Sequence, residues 1–253
     1  MLDGGGNSYN ADEHRDSMGH AYPPSPLLQS ATEIISDTVR NSTKTKSWCP
    51  TLAFGNRYAD GSEHVGYHSD FLLSLGPRPV IAGLALGATR TFRLRKRTSS
   101  DAGAGDKTAV VIDVPVPHNS LLVMDAGCQE GWEHSVVKQA LSTTRSHKKV
   151  GTVRYSLTFR MDRPDFREKM VRTEDVVCDC GRMAALKWCC GKGYILRCNP
   201  AGGTQEKCGF FRKSEVAERE AKRLRMLDGK CVASASVSPS ASPLAWGAEK
   251  AAI

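Results

Sequence analysis

The sequence predicts a mainly β protein, in which an all-β sandwich or barrel is followed by a small cysteine-rich module. From Thr51 to Arg160, short runs of β-forming residues alternate with turn residues, which is the pattern of such a domain. Six of the nine cysteines then fall between Cys178 and Cys208. The 253 residues suffice for one sizeable core and a small module, but they are few for two full catalytic domains.

The elements begin with residues 1–25, which are rich in Gly, Ser, Asn and charge and are expected to be disordered. A helix is predicted next, because apolar residues recur at helical spacing at Leu27, Leu28, Ile34, Ile35 and Val39. Strands are predicted in TLAFGNRY, PVIAGLAL, RTFRLRK, AVVIDVPV, SLLVMDA and RYSLTFR, with a hairpin loop at RTSSDAGAGDK. The expected domains are a main domain at 26–170, a cysteine module at 174–213, a charged helix at 214–228 and a low-complexity tail at 229–253.

The charge of the chain favours a polyanionic partner. The formal net charge is +8 at pH 7, which suits nucleic acid better than acidic proteins or neutral small molecules. The sequence contains no signal-peptide pattern and no apolar run of membrane-spanning length. We therefore expect a soluble, intracellular protein without a membrane partner.

The stretch GSEHVGYHSDF suggests a metal site. His68 and Asp70 are separated by one residue, so on an extended strand both side chains point to the same face. His134 in GWEHSV is the best candidate for a third ligand. Two histidines and one carboxylate leave open positions on iron for a co-substrate and O2. The alternative is that His64, His68, His118 and His134 are ordinary surface or strand histidines.

Two arginines strengthen the metal hypothesis. Arg154 and Arg160 lie six residues apart on a predicted strand, and this even separation directs both to one face. Two guanidinium groups aimed inward could bind a dicarboxylate, because the planar fork matches carboxylate geometry. The alternative is an exposed basic strand face.

These residues carry a resemblance to a known family. The motifs NRYADGSEHVGYHSD, IAGLALGATRTFRLRK, HNSLLVMDAG, WEHSV and RYSLTFR, within residues 50–163, are similar to those of the AlkB family of Fe(II)- and 2-oxoglutarate-dependent dioxygenases. The resemblance implies a double-stranded β-helix, or jelly-roll, core. It implies iron ligands at His68, Asp70 and His134, and 2-oxoglutarate contacts at Asn56, Tyr58, Arg154, Thr158 and Arg160. The implied reaction converts 2-oxoglutarate and O2 to succinate and CO2, hydroxylates an N-alkyl group and releases an aldehyde.

The chain departs from the family pattern in two places. Many DNA-repair members have acidic residues after the H-x-D motif that contact the damaged base, whereas this chain has Phe71 and Leu72. The region before Asn56 is also short for the β-rich nucleotide-recognition lid that the family places there, so the lid is reduced or the sequence is incomplete. Base selection is therefore left open.

The cysteine module predicts a zinc site. The pattern C-x-C, a gap of seventeen residues, a cysteine, a gap of nine and CGFF supplies four thiolates for a closed tetrahedral site. It resembles the GRF-type zinc finger, which implies zinc ligands at Cys178, Cys180, Cys198 and Cys208 and single-stranded DNA binding. Cys189 and Cys190 are spare thiols or substitute ligands, and Cys49, Cys128 and Cys231 are expected to be packed or free thiols.

Two groups of residues are candidates for nucleic acid contacts. In the module these are Tyr194, Arg197, Phe210, Phe211 and Arg212, although Phe210 and Phe211 fit a miniature apolar core equally well. In the main domain they are Arg93, Arg95 and Arg97, which share a strand face and could follow phosphates, with a solvated strand face as the alternative.

The sequence therefore predicts an enzyme that dealkylates N-alkylated nucleic acid bases, in DNA repair on single-stranded substrate, with Fe(II), 2-oxoglutarate and zinc. RNA or a protein is an alternative substrate, and a catalytically silent, zinc-dependent nucleic acid binding protein is an alternative class. A nuclear location follows from the predicted function, with the cytoplasm as the alternative.

Overall fold

The computed structural model describes residues 25–98, 110–199 and 208–233. The elements of the main domain are α1 (Pro26–Ser42), β1 (Leu52–Tyr58), β2 (Val65–His68), α2 (Leu72–Leu75), β3 (Ile81–Gly87), β4 (Arg90–Lys96), β5 (Val111–Val116), β6 (Ser120–Met124), α3 (Cys128–Gly131), β7 (Trp132–Val136) and β8 (Arg154–Arg160). They are followed by α4 (Pro164–Thr173), β9 (Ala185–Cys189), β10 (Gly193–Arg197), β11 (Phe211–Lys213) and α5 (Glu215–Ala233).

Two antiparallel four-stranded sheets form the main domain, in the orders β1-β8-β3-β6 and β2-β7-β4-β5. An apolar cluster that includes Ile81, Phe92 and Val114 draws its residues from both sheets. The predicted mainly β class with antiparallel sheets is therefore confirmed, and it agrees with a jelly-roll core.

Strand β8 shows how alternation positions the site. Its even-numbered residues, from Arg154 to Arg160, line a cavity together with residues of the second sheet. Phe159 points the other way and is buried against α1 with Ile35 and Val39. Because successive side chains of a strand alternate between faces, one strand supplies polar groups to a cavity and apolar groups to the outer core.

Helix α1 closes the outer face of the first sheet. Ser25 caps the helix by accepting a hydrogen bond from Leu28 N at 3.3 Å, and Pro26 occupies the first turn, where its missing N–H is not needed. Of the residues that suggested this helix, Ile35 and Val39 are buried, whereas Leu27 and Ile34 are exposed.

The cysteine module shares a core with the main domain. A single apolar cluster joins Leu72 and Leu73 of α2, Phe166 and Met170 of α4, and residues from β9, β10 and α5. Helix α4 was not predicted from the sequence. The expected domain boundary near 174 therefore falls inside one continuous cluster of buried side chains rather than in an exposed linker.

Four sequence expectations concern the ends and loops of the chain. Helix α5 extends to Ala233 instead of 228, because a single glycine such as Gly229 costs only about 1 kcal/mol in a helix. The expected disorder of residues 1–24, most of the hairpin loop and the tail after 233 lie outside the described residues. In the described ranges, no helix combines the length and the hydropathy that a bilayer crossing requires.

Candidate active site

The three predicted iron ligands come together beside the cavity, which His68 and His134 line. His68 ends β2 and pairs in register with His134 on β7, so their side chains lie next to each other. Asp70 follows two residues after His68, and its Oδ1 is 4.0 Å from His68 Nε2 and 3.9 Å from His134 Nε2. The three potential ligand atoms lie within 4.8 Å of one another. Asp70 lies two residues beyond the end of β2.

Hydrogen bonds orient His68 and Asp70 toward His134. His68 Nδ1 lies 2.8 Å from the Gly66 carbonyl oxygen, which leaves His68 Nε2 to face Asp70 and His134. Arg160 Nε donates to Asp70 Oδ2 at 2.6 Å. Asp70 Oδ1 is buried and has no hydrogen-bond partner among the described residues. A buried carboxylate oxygen needs a partner, and a metal ion between the two imidazoles would supply it.

The protonation states suit metal binding. Burial, followed by the neighbouring His68, lowers the pKa of His134 to about 3, and burial also lowers the pKa of His68. Burial alone would raise the pKa of Asp70, but the charge of Arg160 holds it below its usual value. At neutral pH the site therefore presents two neutral imidazoles and one carboxylate, which are the forms that bind a divalent metal.

The same cavity contains all of the predicted 2-oxoglutarate contacts. Asn56, Tyr58, Arg154, Thr158 and Arg160 line it together with His68 and His134. Arg160 therefore lies at the metal end, where it contacts Asp70. Arg154 is buried, its Nη1 donates to the Val116 carbonyl oxygen at 3.0 Å, and its Nε has no hydrogen-bond partner among the described residues.

Arg154 has the properties of an anion-binding residue. Burial lowers its pKa to about 10, which still leaves the guanidinium charged at neutral pH. No carboxylate within the described ranges forms an ion pair with it. A buried cation without a counter-ion is costly, and the distal carboxylate of 2-oxoglutarate would neutralise it.

Several cavity residues were missed in the sequence. Ser156 lies between the two arginines on the same face of β8, and the even spacing that selected Arg154 and Arg160 also selects it. Phe92 stacks on His134 with ring centroids 5.5 Å apart, and Met124 lines the cavity from β6. Nothing in the local sequence distinguishes these two apolar residues from ordinary core residues.

The residues after Asp70 contact the cysteine module. Leu72 is buried in the cluster that α2 shares with the module, so it does not line the cavity. The ring centroid of Phe71 lies 4.5 Å from Lys187 Nζ of β9. At these positions, where many DNA-repair AlkB enzymes have acidic residues, this chain therefore has packing contacts with its own module.

The four predicted zinc ligands also form a group. The Sγ atoms of Cys178, Cys180, Cys198 and Cys208 lie within 4.8 Å of one another, and Cys180 and Cys198 are 3.8 Å apart. The backbone N–H of Phe210 lowers the pKa of Cys208 to about 7. This donor set and spacing fit a thiolate-binding metal such as zinc. Cys189 and Cys190 are not members of this group.

The predicted nucleic acid contacts are only partly accessible. Tyr194 and Phe210 are buried in the core of the module, which excludes both as platforms for base stacking. Arg212 pairs with Asp175. Phe211 is exposed, and Arg197 is half-buried.

The arginines of β4 are occupied by neighbouring groups. Arg93 pairs with Asp113 at 2.5 Å, and Arg95 pairs with Glu133 at 2.6 Å. Arg97 turns inward and donates to Ser69 Oγ. The hypothesis that these three residues form a free phosphate-binding face is therefore wrong, because adjacent strands and the H-x-D segment supply their partners.

Comparison with known proteins identifies the class of the chain. The profile described as the 2OG-Fe(II) oxygenase superfamily matches residues 2–160, which is more than half of the chain. The chain therefore belongs to this superfamily, which agrees with the predicted class of enzyme, an Fe(II)- and 2-oxoglutarate-dependent dioxygenase.

Its curated relatives are AlkB homologues. Alpha-ketoglutarate-dependent dioxygenase alkB homolog 3 of Rattus norvegicus is 42% identical over 113 residues, covering 44% of this chain and 35% of the rat protein. DNA oxidative demethylase ALKBH2 of Homo sapiens is 37% identical over 105 residues, covering 42% of this chain and 37% of the human protein. ALKBH2 of Arabidopsis thaliana is 37% identical over 120 residues, covering 42% of this chain and 36% of the Arabidopsis protein. The chain thus matches little more than a third of the length of these relatives.

Proposed function

We propose that this protein removes alkyl groups from N-alkylated nucleic acid bases by oxidation coupled to 2-oxoglutarate decarboxylation. The observation that carries the proposal is a cavity lined by His68, His134 and a buried, unneutralised Arg154. Beside the two histidines, a carboxylate oxygen of Asp70 is buried without a hydrogen-bond partner among the described residues. The carboxylate oxygen suits a metal ion, and Arg154 suits a dicarboxylate. The choice of substrate is supported by the relatives named as alkB homolog 3 and as DNA oxidative demethylases.

Each part of the cavity has a role in this reaction. His68, Asp70 and His134 would hold Fe(II), which supplies the activation of O2. Arg154 would bind the distal carboxylate of 2-oxoglutarate, while Asn56, Tyr58, Thr158 and Arg160 would orient the co-substrate. The N-alkyl group acquires one oxygen atom and the other enters succinate. The hydroxylated product then releases an aldehyde and the restored base.

We also propose that the substrate is single-stranded DNA held by Lys187, Arg197, Phe211 and Lys213 on one face of the module sheet. In the register of β9, β10 and β11, Lys187 and Lys213 both pair with Ile195, and two residues further along β10, Arg197 pairs with Phe211. Positions two apart share a face, so three cations and one exposed aromatic residue lie together. This combination suits a single strand, whose backbone needs cations and whose bases stack on aromatic rings.

The proposed cofactor of the module is zinc, bound by Cys178, Cys180, Cys198 and Cys208. The sheet of the module has only three short strands, with three residues in β11. A structural metal would add the stability that so small a sheet lacks. We also propose that the protein resides in the nucleus, because DNA is its proposed substrate.

The proposed reaction is tested with methylated oligonucleotides. We expect the protein with Fe(II), 2-oxoglutarate and O2 to restore 1-methyladenine or 3-methylcytosine, seen in mass spectra as loss of one CH2 from the oligonucleotide with release of formaldehyde. Repair should be faster in single strands than in duplexes, because extruding a paired base costs a few kcal/mol. The Asp70→Ala variant is the control for adventitious metal chemistry. Faster repair of duplexes would refute the strand preference, and no repair of either lesion in DNA or RNA would refute the reaction.

A further inference from the structure

The cysteine module touches the segment that carries two of the proposed iron ligands. Arg97 donates to Ser69 Oγ at 2.5 Å, between His68 and Asp70, and its other terminal nitrogen lies 3.4 Å from the Trp188 carbonyl oxygen of β9. The position of the H-x-D segment therefore depends in part on strand β9 of the module.

A second connection between the module and the iron site runs through the one-turn helix α3. Tyr194 of β10 is 1% exposed, and its hydroxyl donates to Glu130 Oε1 at 2.8 Å. The same oxygen accepts a hydrogen bond from Arg78 N at 2.6 Å. The preceding residue, Gln129, is also 1% exposed, and its Oε1 accepts a hydrogen bond from Asp70 N at 2.9 Å. Buried hydrogen bonds thus lead from the module sheet to the backbone of Asp70.

We propose that Tyr194 is a positioning residue for the iron site, acting through Glu130 and Gln129 on Asp70. The module then completes the catalytic site, in addition to any contact that it makes with substrate. This inference rests on the proposed metal ligands, but it does not depend on which substrate is dealkylated.

The contacts of Asp70 explain why its backbone matters. Arg160 donates to Asp70 Oδ2, and Gln129 accepts from the backbone N–H of Asp70. Asp70 is therefore held at both its side chain and its backbone, with Oδ1 facing the histidines. A metal site requires its ligand atoms within about 0.2 Å of the ideal distances. Loss of groups that orient metal ligands commonly lowers metal affinity by about 10- to 100-fold.

The Gln129 side chain is itself held in place. Its Nε2 lies 3.4 Å from Met124 Sδ, so the amide has a partner at each end. Gln129 and Glu130 are neighbours on a helix of only four residues, so a shift of one moves the other. Loss of the Tyr194 hydroxyl would leave Glu130 without its donor from the module, in a buried site where an unmet hydrogen bond is costly.

The test measures Mn(II) affinity in the zinc-loaded chain of 253 residues, using the electron paramagnetic resonance signal of free Mn(II). Mn(II) prefers imidazole and carboxylate ligands to thiolates, so it reports on His68, Asp70 and His134 and not on the cysteine group. The variants are Tyr194→Phe, which removes the hydroxyl that donates to Glu130, and Gln129→Met, which removes the amide that accepts from Asp70 N and contacts Met124 Sδ. Glu130→Gln keeps the acceptor oxygen, and Tyr155→Phe is a matched control at an exposed tyrosine. Thermal unfolding is recorded for every variant.

We expect the dissociation constant for Mn(II) to rise about tenfold in Tyr194→Phe and Gln129→Met, and to stay within about twofold of wild type in Glu130→Gln and Tyr155→Phe. A Tyr194→Phe variant with wild-type Mn(II) affinity would overturn the inference, even if its Tm is lower, because that result describes packing alone. Equal weakening in Tyr155→Phe would overturn it as well. Wild-type protein that binds no Mn(II) would overturn both the metal site and this inference.

Discussion

Asp70 and Arg160 form a buried ion pair in which Arg160 Nε lies 2.6 Å from Asp70 Oδ2. The pair keeps Asp70 ionised although it is buried, because Arg160 lowers the carboxyl pKa against the opposing effect of burial. It also fixes which carboxylate oxygen faces the histidines. Arg160, carried by β8, therefore links the proposed iron ligands to the strand that supplies the dicarboxylate-binding residues.

Replacement of Arg154 by Met should maintain or raise the Tm of the free protein but weaken its binding of 2-oxoglutarate. The variant removes a buried cation without a carboxylate partner in the described structure, so the free protein should have an equal or higher Tm. The dissociation constant for 2-oxoglutarate should rise about 100-fold, since one partner of a buried charge pair is lost. Thermal unfolding with and without 2-oxoglutarate measures both. Retained stabilisation by 2-oxoglutarate would remove Arg154 from the site.

Removal of zinc should destabilise the whole chain and not the module alone. The module shares its apolar cluster with α2 and α4, so chelation is expected to lower the Tm in one cooperative transition. Cys198→Ser should reproduce this effect, and Cys189→Ser is the control because Cys189 lies outside the four-cysteine group. Wild-type zinc content in Cys198→Ser, or zinc loss in Cys189→Ser, would contradict the assigned ligands.

Glu220 should make the attachment of α5 sensitive to acid. Its carboxylate accepts hydrogen bonds from Arg223 and Arg163, which lower its pKa from 4.5 to about 2. Because the pKa is depressed in the folded state, the stabilisation is present above pH 4.5 and is lost as the pH falls toward 2. Glu220→Gln should lower the free energy of unfolding by about 1 kcal/mol at neutral pH, an amount reduced by solvent screening.

The check on Glu220 is chemical denaturation of both proteins across this pH range. The difference between wild type and Glu220→Gln should shrink toward zero as the pH falls from 4.5 to about 2. A difference that is constant with pH would show that the ion pairs do not stabilise the protein.

The proposed path for a single strand predicts a change in salt dependence. Each of Arg197 and Lys213, when replaced by Ala, should lower the slope of log affinity against log salt concentration by about 0.7 for single-stranded DNA. Arg212→Ala is the matched control, because Arg212 forms an ion pair with Asp175. Arg212 directly precedes Lys213 in the sequence, and its cross-strand partner on β10 directly precedes Arg197. Fluorescence anisotropy with a labelled oligonucleotide measures the slopes. An equal effect of Arg212→Ala would contradict the assigned face.

The sequence predicts the strands and the site far better than the contacts that support the site. Short runs of β-forming residues between turn residues identify most of the two sheets, and the H-x-D spacing with the two arginines identifies the candidate ligands. The Gln129 contact with Asp70 spans 59 residues, and the Tyr194 contact with Glu130 spans 64. No local pattern encodes such pairs, since they depend on how α3 and the module sheet pack together.

The candidate nucleic acid contacts that the structure buries or pairs share one cause, and for Phe210 the burial agrees with the alternative of a miniature apolar core. Tyr194 and Phe210 are aromatic, as residues that stack on bases are. Small modules also need aromatic residues for their core, and both residues are buried there. Arg93 and Arg95 look like free cations until the cross-strand partners Asp113 and Glu133 are known. Burial and cross-strand pairing, rather than residue type, decide these cases.

The proposed site for Fe(II) and 2-oxoglutarate is tested most directly by the visible spectrum of the protein with both under anaerobic conditions. Binding of both to one site should produce a metal-to-ligand charge-transfer band, because His68, Asp70 and His134 leave open positions for the co-substrate. The band should be absent in Asp70→Ala and should require much more 2-oxoglutarate in Arg154→Met. A wild-type protein without the band at saturating Fe(II) and 2-oxoglutarate, or an undiminished band in Asp70→Ala, would contradict the proposed site.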